Sequence, residues 1–219
     1  MDGGATGRAA AESEGTVVIP GSSRRVYVLE RRTVGVYLYG HYGAALLAFA
    51  PLGFALTAAG APGAALVVGV VTVGLAPLPD WDHRVPLLDH RGVTHTVAFA
   101  LLVGLVAGAV GLAVGGSGAG DTVLAGSGGG LAGGSGGEIG PAPALGAMGF
   151  VAGTLSMLTH LAADAVTPMG IAPLWPVSSR RYSLELVRSA NPVANYLLLA
   201  VGVVVAGVTL YAGTVLAGI

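Results

Sequence analysis

The sequence predicts an all-α membrane protein, a polytopic bundle of about five transmembrane helices. Hydrophobic residues make up 53% of its 219 residues, and only 10% are charged, whereas soluble domains carry about a quarter charged residues. Apolar runs recur along the chain, most of them near the roughly 20 residues that a spanning helix needs. The arginines segregate to alternate loops, as they do in membrane proteins.

Residues 1–33 are predicted to form a cytoplasmic tail and a juxtamembrane arm. Residues 1–16 are small, polar and acidic, which is typical of a disordered tail. Residues 17–29 are interpreted as an ordered arm. A short hairpin around Gly21 is the alternative, although a two-stranded hairpin alone is marginally stable. The remaining residues, 34–219, are predicted to form the membrane-embedded domain.

The embedded domain divides into five apolar runs separated by turns and polar segments. Thr94 is a plausible N-cap for the third run. Residues 182–187 alternate weakly in polarity and predict a short strand or an extended loop. Residues 115–143 are rich in Gly and Ser and predict a flexible linker. The predicted spans cover residues 34–59, 64–77, 95–114, 144–166 and 193–216.

The arginines predict the orientation of these spans. With five spans, the tail carries five arginines, the loop at 80–93 carries two, and the segment at 167–192 carries three. The turn at 60–63, the linker and the C-terminal residues carry none, and the chain has no lysine. Because cytoplasmic loops carry the Lys/Arg excess, the N-terminus is predicted to be cytoplasmic and the protein to reside in the cytoplasmic membrane.

Ionisable residues gather at the cytoplasmic ends of these spans and predict a metal site. Charged groups at membrane depth are costly and need partners, and His160 and Asp164 share one helix face at i, i+4 spacing. The chain has no cysteine, so a metal would be held by His and carboxylate groups, which suits zinc, manganese or iron. The candidate metal ligands are His41, Asp80, Asp82, His83, His95, His160 and Asp164.

Several of these residues have plainer alternative roles. His41 could be an interfacial histidine, and Asp82 could pair with Arg84 or cap a turn. Asp80 or His90 could orient a ligand from behind instead of binding the metal. Arg91 could simply be a cytoplasmic arginine that follows the positive-inside rule.

Three ordered blocks of the sequence resemble a known family. LPDWDH, HRGVTHT and HLAADAVTPMGIAPLWP are similar to the signature blocks of the membrane-bound metal-dependent hydrolases, described in bacteria as LexA-binding, inner-membrane-associated hydrolases. The resemblance covers about residues 35–200, with Thr96 where serine is usual. It implies a metal-dependent hydrolase. The His-x-x-x-Asp element is also remotely similar to that of zinc phospholipase C and P1-type nucleases, which cleave phosphodiesters on an all-helical fold.

The sequence therefore predicts hydrolysis by a metal-activated water. One to three divalent ions are expected, zinc first, and two are favoured because the ligands exceed one tetrahedral site. His90 and Arg91 are the predicted catalytic residues, with Arg91 binding a substrate phosphate or carboxylate. The expected partners are membrane lipid, a lipid or phosphoester substrate, and a cytoplasmic protein; a net charge of −1 does not suggest nucleic acid binding. The alternative function is a membrane scaffold that binds a partner and keeps a structural metal. A transporter is disfavoured because its polar binding residues would lie near the bilayer midplane, whereas those of this chain gather at one end of the spans.

Overall fold

The structure, a computed structural model, describes residues 23–84, 91–120, 124, 140–188 and 190–219, with side chains described between residues 38 and 82 of the first range. In these ranges the regular secondary structure is helical, apart from one antiparallel bridge between Ile171 and Tyr182. The all-α prediction is thus confirmed. The long helices are α1 (Ser23–Ala58), α2 (Pro62–Leu75), α3 (Val97–Gly116), α4 (Pro141–Ala165) and α5 (Pro192–Ala217).

Five stretches of the described chain are long and apolar enough to cross a membrane, which confirms the predicted number of spans. The second combines α2 with the 3₁₀ turn Pro79–Arg84 that follows it. This explains how an α-helix of only 14 residues belongs to a spanning segment. The candidate spans are Leu38–Ala58, Pro62–Asp82, Val97–Gly116, Pro141–Ala165 and Pro192–Ala217.

One local prediction and one alternative differ from the structure. Helix α1 begins at Ser23, so the later half of the 17–29 segment is helical rather than a hairpin; residues 17–22 lie outside the described residues. The N-cap of α3 is Thr96, whose hydroxyl accepts a hydrogen bond from the Phe99 N–H at 3.1 Å, and not Thr94. The prediction was wrong because a 3₁₀ turn over Val93–His95 delays the start of α3, and this leaves Thr94 for another role.

The helices pack as two close pairs, α1 with α5 and α3 with α4, while α2 lies against α1 and α4. Small residues allow the close approach within each pair, as is common in membrane helices. A Cβ atom on Gly202 of α5 would lie 2.5 Å from the Gly43 carbonyl oxygen of α1. A Cβ atom on Gly108 of α3 would lie 3.1 Å from the Gly146 carbonyl oxygen of α4. Backbone therefore meets backbone at both interfaces.

The apolar core lies where α1, α2 and α4 meet. Phe49, Val68 and Ala152 pack together there, one from each helix. The outer faces of α3 and α5 stay exposed, for example at Leu105 and Val208, as expected of surfaces that face lipid chains. The three inner helices thus form the frame on which the polar end of the bundle is built.

Candidate metal centre

Four ionisable side chains from three segments converge at one end of the inner helices. They are Asp80, His95, His160 and Asp164, and each offers one ligand atom within 4.8 Å of the others. His95, His160 and Asp164 are buried, whereas the Asp80 side chain is 28% exposed. The cluster therefore has one partly open side.

The distances between these atoms match the edges of a small coordination polyhedron. The two carboxylate oxygens are Asp80 Oδ1 and Asp164 Oδ2. His160 Nε2 lies 3.5 Å from the first and 3.6 Å from the second, and His95 Nε2 lies 3.8 and 3.1 Å from them. Ligand atoms bound at about 2.0–2.2 Å to one tetrahedral ion are about 3.3–3.6 Å apart. The four histidine–carboxylate distances of 3.1–3.8 Å lie around this range, so the four donors are candidates to hold a single divalent cation.

Helix α4 and the end of α2 fix His160 in a ligand-ready orientation. The His160 Nδ1 atom lies 2.8 Å from the Ala76 carbonyl oxygen, and because a carbonyl can only accept, Nδ1 carries the proton. Nε2 faces the carboxylates and is the ring nitrogen that can offer a lone pair to a cation. That nitrogen is fully buried and has no hydrogen-bond partner among the described residues, which is the arrangement expected of a metal-binding histidine.

A short relay behind His95 orients it in the same way. Thr94 Oγ1 donates a hydrogen bond to Asp82 Oδ2 at 3.1 Å, and it also lies 3.0 Å from His95 Nδ1. Since the hydroxyl proton is already donated to Asp82, its oxygen accepts from Nδ1–H. The Nε2 atom of His95 consequently points toward Asp80 and Asp164. Asp82 therefore supports a histidine from behind, as metal-site carboxylates often do.

Arg91 is buried and is directed into the protein. Its guanidinium donates from Nη2 to Asp164 Oδ1 at 2.9 Å and from Nη1 to Thr167 Oγ1 at 3.0 Å. The Arg91 N–H donates to Asp82 Oδ2 at 3.2 Å. Its φ of +59° is an uncommon value for a residue with a Cβ atom. The left-handed backbone and the inward guanidinium together hold Asp164 in place.

We expect Arg91→Gln to weaken metal binding by about 10–100-fold, the range typical for loss of a group that orients a ligand. The glutamine cannot supply the charge that now offsets Asp164, and removing one partner of a buried ion pair is strongly destabilising. Titration of the purified protein with Zn²⁺ measures the effect. Arg181→Gln is the matched control, because Arg181 is exposed and donates only to the Met169 carbonyl oxygen in the described contacts; equal losses in both variants would contradict the assigned role.

His41 lies at the edge of the four-residue cluster. Its Nε2 is 3.8 Å from Asp80 Oδ2 and 4.0 Å from Asp164 Oδ1, which are the carboxylate oxygens turned away from the other histidines. Its ring stacks on His160 with centroids 3.9 Å apart. His41 thus shares both carboxylates with the cluster but approaches them from the side of α1.

His95 lies just outside the spanning segments, and its pKa reflects the charges of the metal-free cluster. Burial alone would lower the pKa of His95, but its contacts with the Asp164 and Asp80 carboxylates outweigh burial and raise it to about 9. In the absence of a metal, the His95 cation supplies positive charge to the two carboxylates. A bound divalent ion would take over that role and displace the proton.

Five of the predicted site residues are thus brought together at this centre, namely His41, Asp80, His95, His160 and Asp164. Asp82 and Arg91 lie directly behind it. The His83 side chain and His90 lie outside the described residues, so their roles stay predictions. Sequence reasoning did not assign Thr94, Thr167 or the Ala76 carbonyl to the site. The two threonines stand inside the quoted blocks HRGVTHT and HLAADAVTPMGIAPLWP, but a backbone carbonyl leaves no signal in a sequence.

Comparison with known proteins bears on the membrane setting of this centre. The family model described as YdjM inner membrane protein matches residues 40–218, a range that contains the whole cluster. No curated protein and no solved structure matches the chain significantly. The family description and the five candidate spans together identify a multi-pass protein of the cytoplasmic (inner) membrane.

Proposed function

We propose that this chain, which belongs to the YdjM inner membrane protein family, is a membrane-embedded metal-dependent hydrolase. Its site would lie at the cytoplasmic membrane face and cleave a phosphoester or lipid-like substrate with a metal-activated water. The observation that carries the proposal is the set of two His nitrogens and two carboxylate oxygens within 4.8 Å of one another. Such a mixed N/O donor set suits zinc, with manganese or iron as alternatives.

The chemistry divides between the ion and the protein. A divalent ion, when bound, would acidify a water and polarise the scissile phosphoryl group. Asp80, His95, His160 and Asp164 would hold it, while Arg91 and the Asp82–Thr94 pair would keep the ligands oriented. His41, on the side of α1, is placed to take the proton that the attacking water loses. The water oxygen would then replace the leaving alkoxide at phosphorus, and the alkoxide would take up the proton that His41 had received.

A scaffold with a structural metal is the second candidate. Structural sites are closed by protein ligands, whereas catalytic sites keep a position open. Asp80 is partly exposed, and a cavity of about 580 Å³ reaches His41 and Asp164. Both observations favour the hydrolase. A second ion would need His41 together with His83 or His90, and it stays a prediction.

We expect the full-length protein, purified in mild detergent, to contain about one equivalent of a transition metal, the number one tetrahedral cluster holds. The loaded protein should hydrolyse bis(p-nitrophenyl) phosphate. Asp164→Asn should lose both properties, because an amide is a poor metal ligand, and should still insert into the membrane. Elemental analysis and nitrophenol release measure the two properties.

The outcomes separate the two candidates. Metal lost in Asp164→Asn but no hydrolysis of phosphomonoester, phosphodiester or carboxylic ester probes would favour the scaffold. Equal metal content in wild type and Asp164→Asn would refute the site assignment itself. Asp164→Glu serves as a conservative comparison, since it keeps a carboxylate but moves it by one methylene.

Metal binding should strengthen with pH. In the metal-free protein the pKa of His95 is raised to about 9, so below that pH a proton must leave before Nε2 can bind a cation. The apparent affinity should rise about tenfold per pH unit for each displaced proton and level off near pH 9. Zn²⁺ titrations between pH 6 and about pH 9, with proton release followed in weak buffer, test this. An affinity that stays constant over the range would exclude His95 as a ligand.

A further inference from the structure

A second feature of the polar end is a cavity of about 580 Å³ beside the metal centre. Its walls come from α1, α4 and α5 and from residues just before α5. The volume lies within the range of about 300–1,000 Å³ that is usual for small-molecule sites. It is therefore large enough for a ligand and is adjacent to the chemistry.

The lining of the cavity combines a large apolar part with a few charged or titratable side chains. Most of the wall is apolar, including Ala44, Ala163, Leu198 and Val201. His41 and Asp164 of the metal centre form part of the wall, and Arg188 lines it as well. Among the described lining residues, Arg188 is the only arginine or lysine. Arg188 is an exposed residue. Apolar walls suit a hydrocarbon chain, and a guanidinium in the lining of the same cavity suits a phosphate.

Part of the cavity lining is exposed on a helix that is a candidate membrane span. Leu197 and Val201 line the cavity, yet their side chains are 62% and 43% exposed. Both residues lie within the candidate span Pro192–Ala217. A molecule could therefore enter between α4 and α5 directly from the bilayer, without passing through water.

The geometry points to a lipid with an anionic phosphate head group as the occupant of this cavity, with one apolar chain between α4 and α5 and the phosphate between Arg188 and the metal centre. This inference rests on the proposed hydrolase function and specifies its substrate class. Charge complementarity favours an anionic head group over a zwitterionic one, because the acidic lining residue, Asp164, is already engaged by Arg91 at 2.9 Å.

Binding of palmitoyl lysophosphatidic acid to the full-length, metal-loaded protein in mild detergent tests the inference. Glycerol 3-phosphate, which lacks the chain, and palmitoyl lysophosphatidylcholine, whose head group is zwitterionic, should both bind more weakly. Ala163→Leu fills the cavity from α4 and should weaken binding of the lysophosphatidic acid by about tenfold or more. Arg188→Gln should weaken it too and reduce the preference over lysophosphatidylcholine.

Ala109→Leu is the matched control, because it adds the same side chain to an exposed position of α3 outside the cavity lining. Metal content and elution volume establish that each variant is folded, and Val201→Phe provides a second way to fill the cavity from α5. If both cavity-filling variants keep metal and bind the lysophosphatidic acid as wild type does, the inference is refuted.

The result also separates this inference from the hydrolase proposal. Binding that depends on the acyl chain, without hydrolysis of any ester probe, would support the lipid site and refute the hydrolase proposal. Hydrolysis of bis(p-nitrophenyl) phosphate together with equal binding of chain-bearing and chainless phosphates would retain the enzyme and refute the lipid site. Equal binding of the two lysolipids would refute the assigned role of Arg188 and the anionic head group.

Discussion

If the proposed function holds, replacing His160 with alanine is expected to remove the metal from the purified protein and abolish the proposed hydrolysis. His160 Nε2 is buried, faces both carboxylates of the cluster and is fixed by the Ala76 carbonyl oxygen at 2.8 Å. Loss of a group that merely orients a ligand costs about 10–100-fold in affinity, so loss of the ligand itself should exceed that. Elemental analysis of the variant beside wild type measures the change.

The variant must be shown to be inserted and folded for this result to count. Leu158→Ala is a suitable control, since Leu158 is an exposed residue of the same helix and loses its side chain without touching the cluster. Wild-type metal content in His160→Ala, with membrane insertion intact, would mean that the cluster does not bind the metal. The buried groups would then be held by hydrogen bonds and ion pairs alone.

Replacing Gly202 with alanine should cost the bundle about 1–3 kcal/mol or more, the range for overpacking a tightly packed interface. The new Cβ atom would lie 2.5 Å from the Gly43 carbonyl oxygen and 3.0 Å from its Cα atom. Both contacts are backbone atoms, which cannot rotate away as a side chain can. Helices α1 and α5 would have to separate, and thermal unfolding in detergent should show a lower midpoint.

Gly207→Ala is the matched control on the same helix. A Cβ atom on Gly207 would meet nothing within 4 Å in the described structure. Alanine there should be neutral or stabilise the helix by about 0.5–1 kcal/mol, because glycine is a poor helix former. Equal destabilisation by both substitutions would show that the effect comes from the helix and not from the interface.

Much of the fold was predictable because it depends mainly on the positions of apolar runs and charged residues along the chain. The apolar runs give the number of spans, and the segregation of arginines to alternate loops predicts the orientation of the spans in the membrane. Once the spans alternate, His41, Asp80, His95, His160 and Asp164 must lie at the same membrane level. The i, i+4 spacing of His160 and Asp164 adds a shared helix face. None of these steps requires knowledge of side-chain geometry.

The details that escaped prediction depend on the directions of side chains within short turns. The sequence does not distinguish Asp80 from Asp82 as candidate metal ligands. In the structure, the 3₁₀ turn directs Asp80 to the cluster and Asp82 to Thr94 and the Arg91 N–H. Arg91 was interpreted as a substrate-binding group, yet its positive φ accompanies a guanidinium that binds Asp164 and Thr167. Whether it also contacts substrate stays a prediction.

The convergence of ligands from distant parts of the chain has a consequence for biosynthesis. Asp80 and His95 leave the ribosome well before His160 and Asp164, and a nascent chain with three inserted helices holds only part of the cluster. The proposed metal site would therefore be complete only after the fourth helix has joined the first two. A bound ion would then stabilise the bundle only at this last stage of assembly. A truncated or misassembled chain would expose unpaired carboxylates at the membrane surface, where water can still solvate them.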